Sequence, residues 1–154
     1  VSACTVFAAT PRTIPRVRPV VGSISGFIAV IPAQPPPELI QLAADCVSAF
    51  DPFRAPLTEK DRARRNPAQL TPVQIEHLDR WGYPYVMDEF RFHMTLTGRI
   101  AADRREFVLA MLQGRFATIG METLAIDRIT LFRQDSANSR FRIVKQFALA
   151  PFQS

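Results

Sequence analysis

Apolar and polar residues alternate most clearly over residues 89–99. Phe90, Phe92, Met94 and Leu96 interleave with Arg91, His93, Thr95 and Thr97. A strand sends successive side chains to opposite faces, so this stretch predicts a two-faced strand. Its Phe, Met and Leu face suits packing under helices. Its polar face must meet solvent, a cleft or a partner. A different rhythm runs through residues 35–50. Leu39, Leu42, Ala43, Cys46, Val47 and Phe50 recur at i, i+3 and i+4, which predicts a helix with one buried face. Pro35 to Pro37 open that helix and Asp51-Pro52 ends it.

Residues 1–34 read as irregular and strand-like, because Pro11, Pro15 and Pro19 forbid a helix through the stretch. Val17 and the run Gly26–Ile31 predict two short strands, with Gly22 or Gly26 at a turn. Residues 51–82 form a polar, helix-rich excursion. Thr58 can cap a short helix through Arg65. Thr71-Pro72-Val73-Gln74 has the form of a capping box, and Gly82 supplies a stop. Tyr83-Pro84-Tyr85 reads as a loop, and residues 102–116 return to helix. Thr123 to Arg133 and Ser139 to Leu149 predict a hairpin joined by the polar turn 134–138. The predicted class is α+β: an antiparallel sheet with helices packed on one side. Residues 1–154 are expected to form a single α+β domain. It comprises a strand-rich segment (1–34), a helical excursion (35–82) and a lobe carrying the two-faced strand (83–154).

Composition narrows the picture. With 154 residues and 47% hydrophobic content, the chain is long and apolar enough to bury a core. A net charge of +5 suits an anionic partner such as a phosphate ester, a nucleotide or RNA. No basic run exceeds two residues (Arg64-Arg65, Arg104-Arg105), which argues against a dedicated nucleic-acid arm. The two cysteines, Cys4 and Cys46, lack metal spacing and read as free thiols in a reducing cytosol. Two histidines and two cysteines are too few for a classical zinc site, so neither metal nor cofactor is expected. No apolar run approaches the roughly 18 to 20 residues that span a bilayer, and the start lacks a secretory layout. A cytoplasmic protein with no membrane partner is the expectation; the sequence leaves its oligomeric state open.

The chemistry converges on the polar face of residues 91–97. An imidazole, with an ordinary pKa of about 6.5, can give or take a proton near neutrality. A threonine two residues later lies roughly 6.5 to 7 Å along the same face and can donate to a phosphate oxygen. An arginine adds a fixed charge and a fork that fits phosphate. His93, Thr95 and Arg91, with Thr97 behind them, therefore supply half of an acid–base phosphoryl-transfer site. The other reading of the same pattern is a surface histidine on a strand.

Phe92-His93-Met94-Thr95-Leu96-Thr97-Gly98 resembles the His-x-Thr signature of the two-histidine (2H) phosphoesterase superfamily. The stretch from Trp81 to Arg99 is similar to one branch in particular, an uncharacterised family found with bacterial phosphonate-metabolism operons. Asp51–Leu57 and Leu70–Gln74 also resemble that branch, and the likeness extends over roughly residues 16–149. The resemblance implies two similar α+β lobes facing across a cleft, each supplying one His-x-Thr strand. It implies that the histidines act as general acid and base, that the threonines hold phosphate, and that no metal takes part. The substrates it implies are cyclic phosphodiesters of nucleotides or ribose, or related RNA ends.

The chain departs from that pattern in holding one His-x-Thr. Its other histidine, His77, falls in a predicted helix as Glu76-His77-Leu78-Asp79, with an aspartate where the threonine belongs. His77 reads as a surface or packing residue. The family would place the first motif upstream of residue 1, and the chain starts with Val rather than Met. Three explanations stay open: a truncated chain, a degenerate copy, or a cleft completed by a second molecule. On this reading the 154-residue chain alone has weak or no activity.

Further candidates lie outside the strand. Arg54, beside the Ala55-Pro56 turn, can reach the phosphate, hold a cleft wall, or be an ordinary surface arginine. Arg91 can face the cleft or pair with Asp88 or Glu89. Tyr83 and Tyr85 can stack on a base or sugar, or pack on their own domain. Arg62, Arg64 and Arg65 form a basic helix face that reads as solvated. The expected function is a metal-independent phosphodiesterase-type hydrolase for a small, linear or cyclic, phosphoester or a phosphonate-pathway intermediate. The alternatives are a non-catalytic module for a phosphorylated ligand or RNA, and an accessory protein of phosphonate metabolism.

Overall fold

The computed structural model describes residues 1–152. In chain order the elements are α1 (Ser2–Ala9), β1 (Arg16–Val17), β2 (Pro19–Ile24), β3 (Phe27–Pro32), α2 (Pro37–Phe50), α3 (Glu59–Ala63), α4 (Pro72–Trp81), β4 (Met94–Thr95), α5 (Ala102–Ala117), β5 (Leu124–Ala125), β6 (Arg128–Arg133) and β7 (Arg142–Ala148). Every strand pair among the named strands is antiparallel, so the class is α+β as the patterning predicts. The chain divides into two compact units. One gathers Val1–Pro15, Glu38–Phe90 and the stretch from Ile126. The other gathers Arg16–Pro37 and Arg91–Ala125.

The first unit holds α1 to α4 and the β6–β7 hairpin. Phe7 and Ala8 of α1, Leu42 of α2, and Phe147 and Leu149 at the end of the hairpin form its core. A helix at Ser2–Ala9 overturns the strand-like reading of those residues. Pro11 is the cause of the misreading: it lies two residues beyond the helix and limits only its extension. The Ser2–Ala9 segment itself contains neither Pro nor Gly, and Phe7 gives it a buried anchor.

The capping signals around α3 and α4 are realised. Thr58 Oγ1 accepts from the amide of Asp61, and α3 stops at Ala63, two residues short of the expected end. Thr71 Oγ1 accepts from the Gln74 amide while the Gln74 side chain accepts from the Thr71 amide, a complete capping box. Gly82 closes α4 at φ +74°, a left-handed conformation that favours glycine.

The second unit is built on the sheet β2-β3-β4, with β4 at its edge. The β2–β3 turn passes through Ser25 and Gly26, both at positive φ. Val21, Ile28 and Val30 are buried against Val108, Leu109, Leu112 and Phe116 of α5. The expected strand at 123–133 is broken in two. Its start, β5, pairs with β1, whereas only β6 enters the hairpin with β7. Among the described residues no helix is long and apolar enough to cross a membrane.

Candidate functional site: the His93–Thr95 edge strand and an arginine cleft

The strand expected over residues 89–99 forms a ladder only at Met94 and Thr95. Two local causes shorten it. A 3-10 turn occupies Met87–Glu89. Beyond Thr95, the amides of Leu96 and Thr97 both donate to the carbonyl of Ile28, at 2.9 and 3.2 Å, so the regular alternation of the ladder is lost. The register still sorts the two faces. Met94 lies opposite Val30, one of the residues packed under α5, and Thr95 lies opposite Ala29. The expectation that the Met and Leu face is covered fails, however. Met94 and Leu96 are 39% and 45% exposed, because an edge strand with a two-residue ladder reaches only the rim of the α5 interface.

His93 precedes this ladder and is exposed. Its Nδ1 lies 2.7 Å from the backbone carbonyl oxygen of Arg91. A carbonyl can only accept, so Nδ1 carries the hydrogen. In the neutral ring Nε2 then holds the lone pair, and no protein group among the described residues occupies it. The Phe27 ring flanks the imidazole, with centroids 5.6 Å apart and planes tilted by 54°. Thr95 is exposed, and its hydroxyl makes no hydrogen bond among the described residues. Its row across the sheet is Gly22–Ala29–Thr95, so no bulky side chain shares that row.

Arg91 and Thr97 have different surroundings. Arg91 is exposed and enters no ion pair among the described residues; its backbone carbonyl, rather than its guanidinium, is what engages His93. The pairings considered for it are taken elsewhere. Asp88 lies 3.3 Å from His77 Nε2, and Glu89 accepts from Gln74 Nε2 at 2.7 Å. The Thr97 hydroxyl accepts from the Ile28 amide at 3.0 Å and donates to the Gly98 carbonyl at 2.8 Å, so its proton is committed to the backbone.

Arg54, Tyr83 and Tyr85 belong to the other unit. Arg54 Nε donates to Asp51 Oδ1 at 2.9 Å, and its Nη2 donates to the Arg80 carbonyl at 3.3 Å. The hydrogen bond from Arg54, then its charge and that of Arg80, hold the Asp51 carboxyl below the usual carboxylate range. Arg54, Arg64, Arg65 and Gly82 line a cleft of about 220 Å³. The Tyr83 ring stacks under Arg65, 4.8 Å from ring centroid to guanidinium carbon, and meets Tyr85 edge-on at 5.6 Å. Patterning alone reads Arg64 and Arg65 as solvated charge. The available signal was the doublet itself, close in sequence to Arg54 and followed by a helix that ends on Gly82.

His77, the second histidine, is partly buried on α4, and its Nδ1 has no hydrogen-bond partner among the described residues. Among the described residues no group of three or more His, Cys, Asp or Glu side chains could hold a metal ion.

Comparison with known proteins places these features in context. The model of a family described as "Protein of unknown function (DUF1045)" matches residues 1–142. The chain is 38% identical over 130 residues to a protein of Janthinobacterium sp. (strain Marseille) named ribose 1,5-bisphosphate phosphokinase PhnN; the match covers 82% of this chain and 28% of that one. A protein of the same name from Laribacter hongkongensis (strain HLHK9) is 27% identical over 123 residues, covering 80% of this chain and 28% of the relative. The chain thus spans less than a third of the length of these relatives. No solved structure matches it.

Proposed function

The chain belongs to the DUF1045 family, and from that footing we propose that its unit carrying β4 contributes a proton-transfer group and a phosphate-binding hydroxyl to the cleavage of a small phosphoester. The observation that carries this reading is the fixed imidazole. With Nδ1–H held by the Arg91 carbonyl, His93 presents Nε2 as a base; once protonated, the same atom is an acid. Thr95, next along the same edge, offers an uncommitted hydroxyl to a non-bridging oxygen. The Arg91 guanidinium, which pairs with no carboxylate among the described residues, supplies positive charge as the ester charge shifts in the transition state.

The substrate class is a phosphorylated pentose or its cyclic phosphodiester. Two features support it: the relatives are named for ribose 1,5-bisphosphate, and the sequence resembles a branch found with phosphonate-metabolism operons. No step of this proposal calls on a metal: it rests on the His93 imidazole, the Thr95 hydroxyl and the Arg91 charge. The test is turnover of a panel of ribose cyclic phosphodiesters by the chain and by His93→Ala, with and without chelator. Slow, chelator-resistant turnover that disappears in His93→Ala is expected. Unchanged turnover in that variant removes His93 from the reaction.

A second reading is favoured by the position of His77. On α4 its Nε2 lies 3.3 Å from Asp88, so these residues hold a single His-x-Thr. A chain with one proton-transfer group suits binding without turnover. Saturable, salt-sensitive binding of a phosphorylated ligand with no product formed would select it.

A further inference from the structure

The cleft between Arg54, Arg64, Arg65 and Gly82 has no part in the reaction proposed for His93, and its construction is specific. Three guanidiniums line it against one carboxylate, Asp61. Their freedom differs. Arg54 is fixed by Asp51, by the Arg80 carbonyl and, at 3.4 Å, by the Ala55 carbonyl. These bonds use three of its five N–H groups and leave two. Arg64 is only loosely tied, 3.6 Å from Asp61. Arg65 enters no ion pair among the described residues, yet it is not adrift, because its guanidinium lies over the Tyr83 ring. A cation stacked on an aromatic face keeps its in-plane N–H donors available.

Backbone shape keeps the cleft open. Gly82 has φ +74°, and a Cβ there would lie 3.0 Å from Arg54 Nη1. The residue that ends α4 therefore also makes room for the arginine in the wall. The remaining wall, Ala55-Pro56-Leu57, adds no competing charge.

From this geometry we propose that the arginine cleft is a binding site for the phosphate group of a small phosphate monoester. Arg65 and Arg54 present forked donors, and Arg64 adds charge. The dianion is favoured over a carboxylate because it offers three acceptor oxygens and two charges to this set. A compact sugar phosphate is favoured over a polynucleotide because a cleft of about 220 Å³ matches a small molecule and gives no track for a strand. The site lies wholly within the unit that lacks His93, so it stands or falls separately from the catalytic reading.

The test is an amide NMR titration with inorganic phosphate, ribose 5-phosphate and, as the uncharged control, ribose. Saturable shifts of residues 54–65 and 82 are expected with the two phosphates and not with ribose; shifts at the β4 edge, which report the reaction proposed for His93, are followed separately. Affinity should fall with salt, drop about tenfold or more in Arg65→Ala, and persist in His93→Ala. Arg65 is exposed, so its variant retains the fold; Arg65→Lys, which keeps charge but not the fork, should recover only part of the loss. Absent shifts overturn the proposal, as does equal affinity in Arg65→Ala. Unsaturable shifts spread over all surface arginines indicate adventitious ion binding and also overturn it. Loss of binding in His93→Ala would transfer the ligand to the β4 edge and refute a separate site.

Discussion

His93 Nδ1 donates its hydrogen to the carbonyl of Arg91 at 2.7 Å, two residues back along the same chain. The contact is local, so it needs no distant element to hold the ring. Its consequence is a defined tautomer: in the neutral imidazole, Nδ1 is protonated and Nε2 is not. Nitrogen-15 chemical shifts of the neutral ring should therefore show Nε2 as the bare, pyridine-like nitrogen. The opposite tautomer would mean that the Arg91 carbonyl does not orient the ring and that Nε2 is not a standing base.

Thr95 and Thr97 are one repeat apart in sequence and have opposite situations. Thr97 Oγ1 satisfies the amide of Ile28, a residue with no solvent exposure. Thr97→Val leaves that amide unpaired, at a cost of about 1 to 3 kcal/mol. Thr95 is exposed and makes no side-chain hydrogen bond among the described residues, so Thr95→Val should change stability by less than about 0.5 kcal/mol. Urea unfolding of the two variants checks this. Equal losses would show that Thr95 is also structural and weaken its proposed role in holding phosphate.

Much of this was legible in the residues. Local signals were the most reliable: the Thr71 capping box, the Thr58 cap and the Gly82 stop depend on interactions within one or two turns. The spacing of Leu39 and Leu42 likewise marked the buried face of α2. What could not be read was set by distant partners. Alternation from Phe90 to Thr97 signalled an extended chain, but not that Ile28 would take two successive amides and end the ladder at Thr95. Nor could patterning show that Leu124 and Ala125 would pair with β1 and leave the hairpin. At the candidate site, His93 and Thr95 announced themselves through residue type and spacing. Arg65 did not, because its significance depends on Tyr83 beneath it and Gly82 across the cleft.

Gly82 joins stability to the arginine cleft. Its φ of +74° is strained for any residue with a Cβ, and that Cβ would meet Arg54 Nη1 at 3.0 Å. Gly82→Ala should destabilise the chain by about 1 kcal/mol or more, read as a lower urea midpoint. Thr71→Ala, at the other end of α4, removes one side of the capping box and should cost about 0.5 to 2 kcal/mol. The two differ in one respect: only Gly82→Ala should weaken phosphate binding, because only it displaces Arg54. Parallel effects on binding would mean that α4 stability alone controls the cleft.

Cys46 offers a pH-dependent check on the core of the first unit. Its thiol borders an apolar cavity of about 810 Å³ that also touches Cys4, Phe50 and Leu131. Burial disfavours the thiolate and pushes its pKa from 9.0 up to about 11; Arg12 opposes this, while Asp45 and Cys4 add to it. The folded chain therefore keeps the proton at a pH where the unfolded chain releases it. The stabilisation is complete below pH 9 and is lost as pH rises from 9 through about 11. Two measurements follow. Alkylation of Cys46 by iodoacetamide should be slow at pH 8 in the folded chain, rise towards pH 11, and be fast at pH 8 in urea. The urea midpoint of the wild-type chain should also fall more steeply between pH 9 and 11 than that of Cys46→Ala. Identical slopes in the two chains would show that the thiol is hydrated rather than held in the apolar cavity.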